Sequence, residues 1–237
     1  MSAFFVKLKD RGLITLSGKD SRDFLQGLIT NDIHLLDSQA CLYACLLTPQ
    51  GKFLHDFFIT RAGDNILLDC EGGARALDLE RRLKMYRLRK EVDVECREHN
   101  DVYAVLDDKG ASNHPTIQSS NHHPDPRHPE MGHRSFTKPD LPEKPFAEWD
   151  RRRIKLCIPD GSRDLIPEKS TMDEANMDKL HAVDYKKGCY IGQELTARMH
   201  YRGLGKKHLQ VVNTSNLPEK AELRSHCGDI GIALVKD

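Results

Sequence analysis

The stretch Lys187-Gly-Cys-Tyr-Ile-Gly-Gln-Glu194 is the most informative segment of this 237-residue sequence. It places Cys189 between two glycines, which allow the backbone to turn sharply and to approach a ligand closely. Residues 193–201 have a helical pattern, so we expect Cys189 to lie near a helix N-terminus. The helix dipole and neighbouring basic side chains would stabilise a thiolate there. Cys189 is therefore a candidate functional thiol, and a buried structural cysteine is the alternative.

Together with Leu195-Thr-Ala-Arg198, this motif resembles the signature of the YgfZ-type family, the folate-binding branch of the glycine-cleavage T-protein superfamily. The resemblance extends over most of the chain. Leu16-Ser-Gly-Lys-Asp20 with Phe24 to Asp32 resembles the opening strand and helix of the superfamily, and Gly51-Lys-Phe-Leu-His-Asp56 resembles its Gly-to-Asp hairpin. Asp125-Pro-Arg127 with Met131-Gly-His-Arg134 is similar to a further family stretch.

The resemblance implies an α+β fold, a T-protein-like folate-binding domain with ferredoxin-like subdomains around a central hole. It also implies a protein that binds tetrahydrofolate and supports the assembly or repair of iron-sulfur enzymes, with the motif cysteine required. Asp56 matches the acidic residue that contacts folate near its reactive nitrogens in T-protein relatives. A carboxylate suits that role because it accepts from N–H groups and stabilises positive charge. A local bond to the backbone is the alternative for Asp56.

Three more motif residues are candidates for binding folate. Lys187 and Arg198 could hold the glutamate tail of a folate, or an acidic partner, through charge-assisted hydrogen bonds. Glu194 could orient the cysteine segment or contact the ligand. An i,i+4 pair between Glu194 and Arg198 and an ordinary solvated basic face are the competing interpretations.

The organisation along the chain is consistent with this resemblance. We predict a folate-binding domain over residues 1–205, within which 110–145 is a connector or flap because seven of the eleven prolines lie between Pro115 and Pro145. Residues 206–237 read as a truncated β-barrel-like segment, too short to form a core alone. We also predict strands over residues 42–47 and 53–60, separated by a turn at Thr48-Pro-Gln-Gly-Lys52. Further predictions are a helix around residues 24–29, a strand over 154–158 and a helix near 177–181.

Composition limits the possible classes of partner. Lys plus Arg equals Asp plus Glu at 36 each, which favours neither a nucleic-acid nor an anionic-membrane partner. The apolar runs are far shorter than the ~20 residues of a membrane span. The first ten residues do not read as a signal peptide, so a cytoplasmic location is the expectation. Seven scattered cysteines are typical of reduced thiols rather than of a disulfide framework.

The sequence predicts no resident metal site. Histidines cluster between residues 114 and 133, but their spacing fits no structural zinc pattern. One thiolate at Cys189 cannot supply the four protein ligands that an iron-sulfur cluster normally takes, so the remaining ligands would come from an iron-sulfur carrier or client protein or from a small thiol.

Two further functions remain open. The first is a folate-dependent aminomethyltransferase of the T-protein type, which Asp56 would also serve but which needs no thiol. The second is a degraded paralogue that only binds folate or a partner.

Overall fold

The structure is a computed structural model that describes residues 3–97, 101–107 and 122–236. Within these residues the chain forms four α-helices and twelve strands. The helices are α1 Ser21–Gln26, α2 Ala74–Tyr86, α3 Phe146–Lys155 and α4 Gln193–Arg202. The strands are β1 Ala3–Lys7, β2 Arg11–Ser17, β3 Cys41–Leu47, β4 Phe53–Ala62, β5 Asn65–Glu71, β6 Asp93–Cys96, β7 Tyr103–Asp107, β8 His122–Pro124, β9 His133–Ser135, β10 Lys207–Asn213, β11 Glu222–Cys227 and β12 Ile230–Lys236.

A five-stranded antiparallel sheet in the order β3-β4-β5-β2-β6 forms the centre of the molecule. Strand β3 is buried at all seven positions, and β4 is buried at its first eight, because both faces of the sheet are covered. One face packs on α1 and α2, around Leu25, Leu79 and Leu83. The opposite face carries Tyr43 and Phe58 and packs against the rest of the molecule.

Two smaller sheets cover that second face. One has the order β1-β7-β9-β8, and the other, near the C-terminus, has the order β10-β12-β11. Leu209, Ile232 and Leu234 of the C-terminal sheet enter the same apolar core as Tyr43. These residues of the predicted C-terminal segment are therefore buried by packing on the rest of the chain, whereas Val212, Ala233 and Val235 form a small cluster of their own.

Several local predictions agree with the structure. The motif helix, expected over residues 193–201, is α4, and the strands around the Thr48-to-Lys52 turn are β3 and β4. The helix expected over 24–29 is short, because α1 ends at Gln26 and the apolar residues beyond it enter the core from a turn.

Two local predictions are wrong. Residues 154–158 are not a strand, since α3 continues to Lys155 and the chain then turns at Cys157, which has a positive φ of 55°. Residues 177–181 form successive turns rather than a helix. Met177 and Leu180 are buried there, and apolar residues buried from irregular backbone imitate a helical spacing in the sequence.

The proline- and histidine-rich region is only partly described. Residues 108–121 of it, including His114, lie outside the described residues. From His122 onward, β8 and β9 pair with each other and β9 pairs with β7, so these residues belong to the four-stranded sheet. In the part of the chain that the structure describes, no helix is both long and apolar enough to span a bilayer.

Candidate functional site

Lys187 is the buried anchor of the motif segment. Its Nζ donates to the carbonyl oxygens of Gln26, Ile29 and Asn31 at 2.8, 2.7 and 2.7 Å. These carbonyls lie at and just after the end of α1, where backbone acceptors have no intrahelical partner. Burial lowers the pKa of Lys187 to about 8, so the ammonium is still protonated at neutral pH. All three of its protons point at protein carbonyls.

Cys189 lies on the surface, four residues before α4. All seven cysteines fall in the described residues, and Cys189 is the one whose side chain is exposed. The alternative of a buried structural cysteine therefore does not hold. The next residue, Tyr190, is buried and fixes the segment to the core.

Gly192 determines how the motif segment docks. It is the N-cap of α4 and has a left-handed φ of 83°. A Cβ at this position would lie 2.6 Å from the carbonyl oxygen of Thr48 and 2.9 Å from Cβ of Leu47. Only glycine permits this close approach to the turn between β3 and β4. The exposed thiol is thus presented from a backbone that is fixed on both sides.

Glu194 and Arg198 lie on the solvent-exposed face of α4. Among the ion pairs of the described residues, none joins these two side chains, so the expected i,i+4 pair is not formed. The structure does not bring them to Asp56. They lie instead on the same surface as the exposed cysteine segment.

Asp56 is a buried carboxylate on the inner face of β4, and 6% of its surface is exposed. Its Oδ2 accepts a hydrogen bond of 2.6 Å from the Tyr43 hydroxyl. No donor among the described residues contacts Oδ1. Burial raises the pKa of Asp56, although the Tyr43 hydrogen bond and nearby Arg11 act in the opposite direction. The carboxylate can therefore accept one more N–H group.

Gly161 lies against the free oxygen of Asp56. A Cβ at Gly161 would be 3.5 Å from Asp56 Oδ1 and 2.9 Å from Glu71 Oε2. Glu71 is itself fixed, because its carboxylate accepts from the backbone N–H and the hydroxyl of Ser162 at 3.0 and 2.6 Å. The absence of a side chain at Gly161 thus leaves space between two carboxylates.

Beside this space is a cavity of about 260 Å³, which we call the inner chamber. Its wall contains three acidic and three basic groups around one aromatic ring: Asp10, Glu71, Asp160, Lys9, Arg11, Arg163 and Phe146. A second opening of about 540 Å³ shares Arg11 and Phe146 with it and adds lysines at its mouth. Burial would raise the pKa of Asp160, but Arg153, Arg11 and Arg163 hold it below its usual value. The chamber therefore presents fixed charges of both signs.

A stack of arginines on Phe58 lines a small cavity beside the inner chamber. The Arg134 guanidinium lies 3.7 Å from the centroid of that ring, and the Arg127 guanidinium lies 4.6 Å from it. Asp69 accepts from Arg134 and from Arg11, each at 2.7 Å. Buried charges of this kind are tolerated only when they are paired and hydrogen-bonded.

Arg127 is held by Asp125. Its Nε and Nη2 donate to the two oxygens of Asp125 at 3.0 and 2.8 Å. Burial lowers the pKa of such a guanidinium, but Asp125 more than compensates and raises it. The same guanidinium lies 5.3 Å from the centroid of Tyr43.

A larger cavity of about 920 Å³ lies on the other side of this arginine, towards the motif segment. Tyr43, Pro124 and Pro126 form its inner end. Near its rim, the rings of Tyr185 and His200 stack with their centroids 3.8 Å apart. We call it the outer cavity.

The sequence indicated Asp56 and Cys189, but it did not indicate the side chains that shape the inner chamber. Arg127 and Arg134 stand out in the sequence only as parts of a family stretch, and Arg11, Glu71 and Asp160 carry no signal. Their spacing in the chain gives no hint that they meet. No group of three or more His, Cys, Asp or Glu side chains within the described residues is arranged to hold a metal ion.

This geometry can be compared with known proteins. The sequence profile of the GCVT N-terminal domain matches residues 6–144, more than half of the chain. The chain belongs to the GCVT N-terminal domain family. A solved member of the same fold, the glycine cleavage system aminomethyltransferase T from Bartonella henselae, superposes with a TM-score of 0.74. It covers 99% of this chain and 78% of its own, at 14% identity, and this likeness confirms the predicted T-protein-like α+β fold.

The curated relatives of this chain are named as iron-sulfur cluster assembly factors. The iron-sulfur cluster assembly factor IBA57 homolog, mitochondrial, of Pyricularia oryzae is 32% identical over 222 residues, covering 88% of this chain and 57% of its own length. The iron-sulfur cluster assembly factor IBA57, mitochondrial, of Homo sapiens is 32% identical over 229 residues, covering 86% and 64%. The chain thus spans somewhat more than half the length of these relatives.

These names overturn one expectation. The cytoplasmic location predicted from the first ten residues is wrong, because the relatives are named as mitochondrial proteins. Because the chain spans only somewhat more than half the length of these relatives, its first ten residues were a weak basis for that prediction.

Proposed function

We propose that this chain is a tetrahydrofolate-binding accessory protein in iron-sulfur cluster assembly or repair, and that it works through Cys189 in mitochondria. The observation that carries the proposal is the exposed thiol of Cys189 in a chain whose relatives are named iron-sulfur cluster assembly factors. The YgfZ-type character of the motif and a domain boundary between residues 205 and 206 are part of the same proposal.

In this proposal the inner chamber holds the folate. Asp56 does not line the chamber itself but lies beside Gly161, with Oδ1 free to accept from a pterin N–H. Trp149 lines the small cavity under the arginine stack, and its Nε1 has no partner among the described residues. Buried polar atoms without partners are rare and often face a ligand or an unobserved water. Lys9 and Lys144 at the mouth would contact the anionic glutamate tail, whereas Lys7 is paired with Asp101.

The roles of the other motif residues follow from their positions. The Lys187 ammonium donates all three of its protons to carbonyl oxygens at and just after the end of α1. We therefore assign Lys187 the role of positioning the cysteine segment rather than of binding folate. Glu194 and Arg198 face solvent beside that segment. They would contact a partner protein, and Arg198 would favour an acidic surface.

A cluster handled by Cys189 would be cargo shared with another molecule, since one thiolate provides only one of the usual four ligands. Anaerobic reconstitution of the isolated chain should therefore give no stable cluster. A stable cluster on the monomer would contradict the shared-ligand part of the proposal.

The rival function is an aminomethyltransferase that passes a one-carbon unit to tetrahydrofolate. The fold favours it, because the structural neighbour is an aminomethyltransferase T. Asp56 would serve this reaction too. The exposed Cys189 is what distinguishes the two, because methylene transfer needs no thiol.

Complementation separates these functions. A strain lacking its own relative would receive wild type, Cys189→Ala, or the matched control Cys96→Ala, which removes a half-buried thiol elsewhere on the surface. We expect wild type and the control to restore the activity of an iron-sulfur enzyme and Cys189→Ala to fail at equal abundance. Full activity of Cys189→Ala, together with glycine-cleavage turnover, would favour the transferase instead.

A further inference from the structure

Arg127 lies between the inner chamber and the outer cavity. On one side it lines, with Trp149, a small cavity of about 10 Å³ that shares Arg11, Phe146 and Asp160 with the inner chamber. On the other side its guanidinium lies 5.3 Å from the ring of Tyr43, which belongs to the wall of the outer cavity. The outer cavity and the inner chamber share no lining residue.

The residues around Arg127 hold its side chain in one position between the two cavities. Pro126, immediately before it, lines the outer cavity, while Arg127 itself points to the chamber side. Only 3% of its surface is exposed. The bidentate pair with Asp125, and the stacking on Phe58 and Tyr43, hold the guanidinium in one place.

We propose that Arg127 is a specificity-determining residue that closes the inner chamber towards the outer cavity. A ligand in the inner chamber then ends at this arginine, and its remaining length must leave by the opening near Phe146. The folate site and the cavity beside the cysteine segment are separate compartments in this arrangement. The statement about ligand length rests on the proposed folate function, and the partition itself does not.

The partition can be measured without any folate. Trp149 is the only tryptophan of the chain and lines the same small cavity as Arg127, so acrylamide quenching of its fluorescence reports access to that cavity. Removing the side chain in Arg127→Ala connects the cavity to the outer one. We expect the quenching constant to rise severalfold over that of wild type.

Arg134→Ala is the matched control. It also removes a buried arginine that stacks on Phe58 and pairs with an aspartate, but Arg134 does not lie over Tyr43 or line the outer cavity. Its quenching constant should stay near that of wild type. Because Arg127→Ala leaves a buried carboxylate at Asp125, the double variant Asp125→Asn/Arg127→Ala is measured as well, and it should show the same rise.

A second titration addresses ligand length. In wild type, saturating tetrahydrofolate should shield Trp149 from acrylamide, whereas in Arg127→Ala the shielding should be incomplete because the outer cavity gives a second route. Equal quenching of wild type, Arg127→Ala and the double variant, or an equal rise in Arg134→Ala, would overturn the partition. Absence of folate binding with the expected quenching pattern would overturn the folate proposal and leave the partition standing.

Discussion

Replacing Lys187 by Met tests the physical argument about the motif segment most directly. Methionine keeps most of the length of the side chain but removes three donors to the carbonyls of Gln26, Ile29 and Asn31. The bonds to Ile29 and Asn31 are buried. Each buried acceptor that loses its partner costs about 1–2 kcal/mol, so we expect a loss of about 2–4 kcal/mol in the free energy of unfolding.

The assay is urea and thermal unfolding of the variant beside wild type. For a chain of this size, that loss corresponds to a fall in Tm of about 5–15 °C. Lys186→Met is the matched control, because Lys186 is the exposed neighbour and surface substitutions usually stay within about 0.5 kcal/mol. A Lys187→Met variant as stable as Lys186→Met would refute the anchoring role.

Three further predictions follow from buried groups of the site and sheet. Asp56→Asn should weaken tetrahydrofolate binding about tenfold to a hundredfold in calorimetry, and unchanged affinity would remove Asp56 from the site. The Tm should stay the same or rise, because burial raises the pKa of Asp56 and a neutral amide avoids the cost of burying a charged carboxylate. Gly192→Ala should lower stability by about 1–3 kcal/mol in urea unfolding, since its Cβ would meet the Thr48 carbonyl at 2.6 Å and its φ is positive, whereas Gly63→Ala, with open space around it, should cost less. Burial lowers the pKa of His55 to about 4, so the unfolded chain takes up a proton at a higher pH than the folded chain. The free energy of unfolding should therefore fall by up to about 3 kcal/mol as the pH drops from about 6.5 to 4. His55→Gln should flatten this part of the pH profile, and an unchanged profile would contradict the assignment.

Much of the fold could be predicted from local patterns. The alternation and turn residues around Thr48 to Lys52 were enough to place β3 and β4, and the pattern after Gly192 was enough to place α4. Predictions failed at residues 154–158 and 177–181, where apolar side chains enter the core from turns. Burial in such places is decided by neighbouring elements, which a local pattern does not contain.

By itself, the sequence determined the family resemblance, the α+β class and the two residues on which the proposed function depends, Cys189 and Asp56. It could do so because a glycine-bounded motif and a Gly-to-Asp hairpin are local features. Only the tertiary structure decided that Lys187 is an anchor, that the thiol is exposed, and that arginines from distant segments enclose the inner chamber. Arg11 and Arg134 are paired through Asp69, and residues so far apart in the chain acquire a common role only when the sheets bring them together.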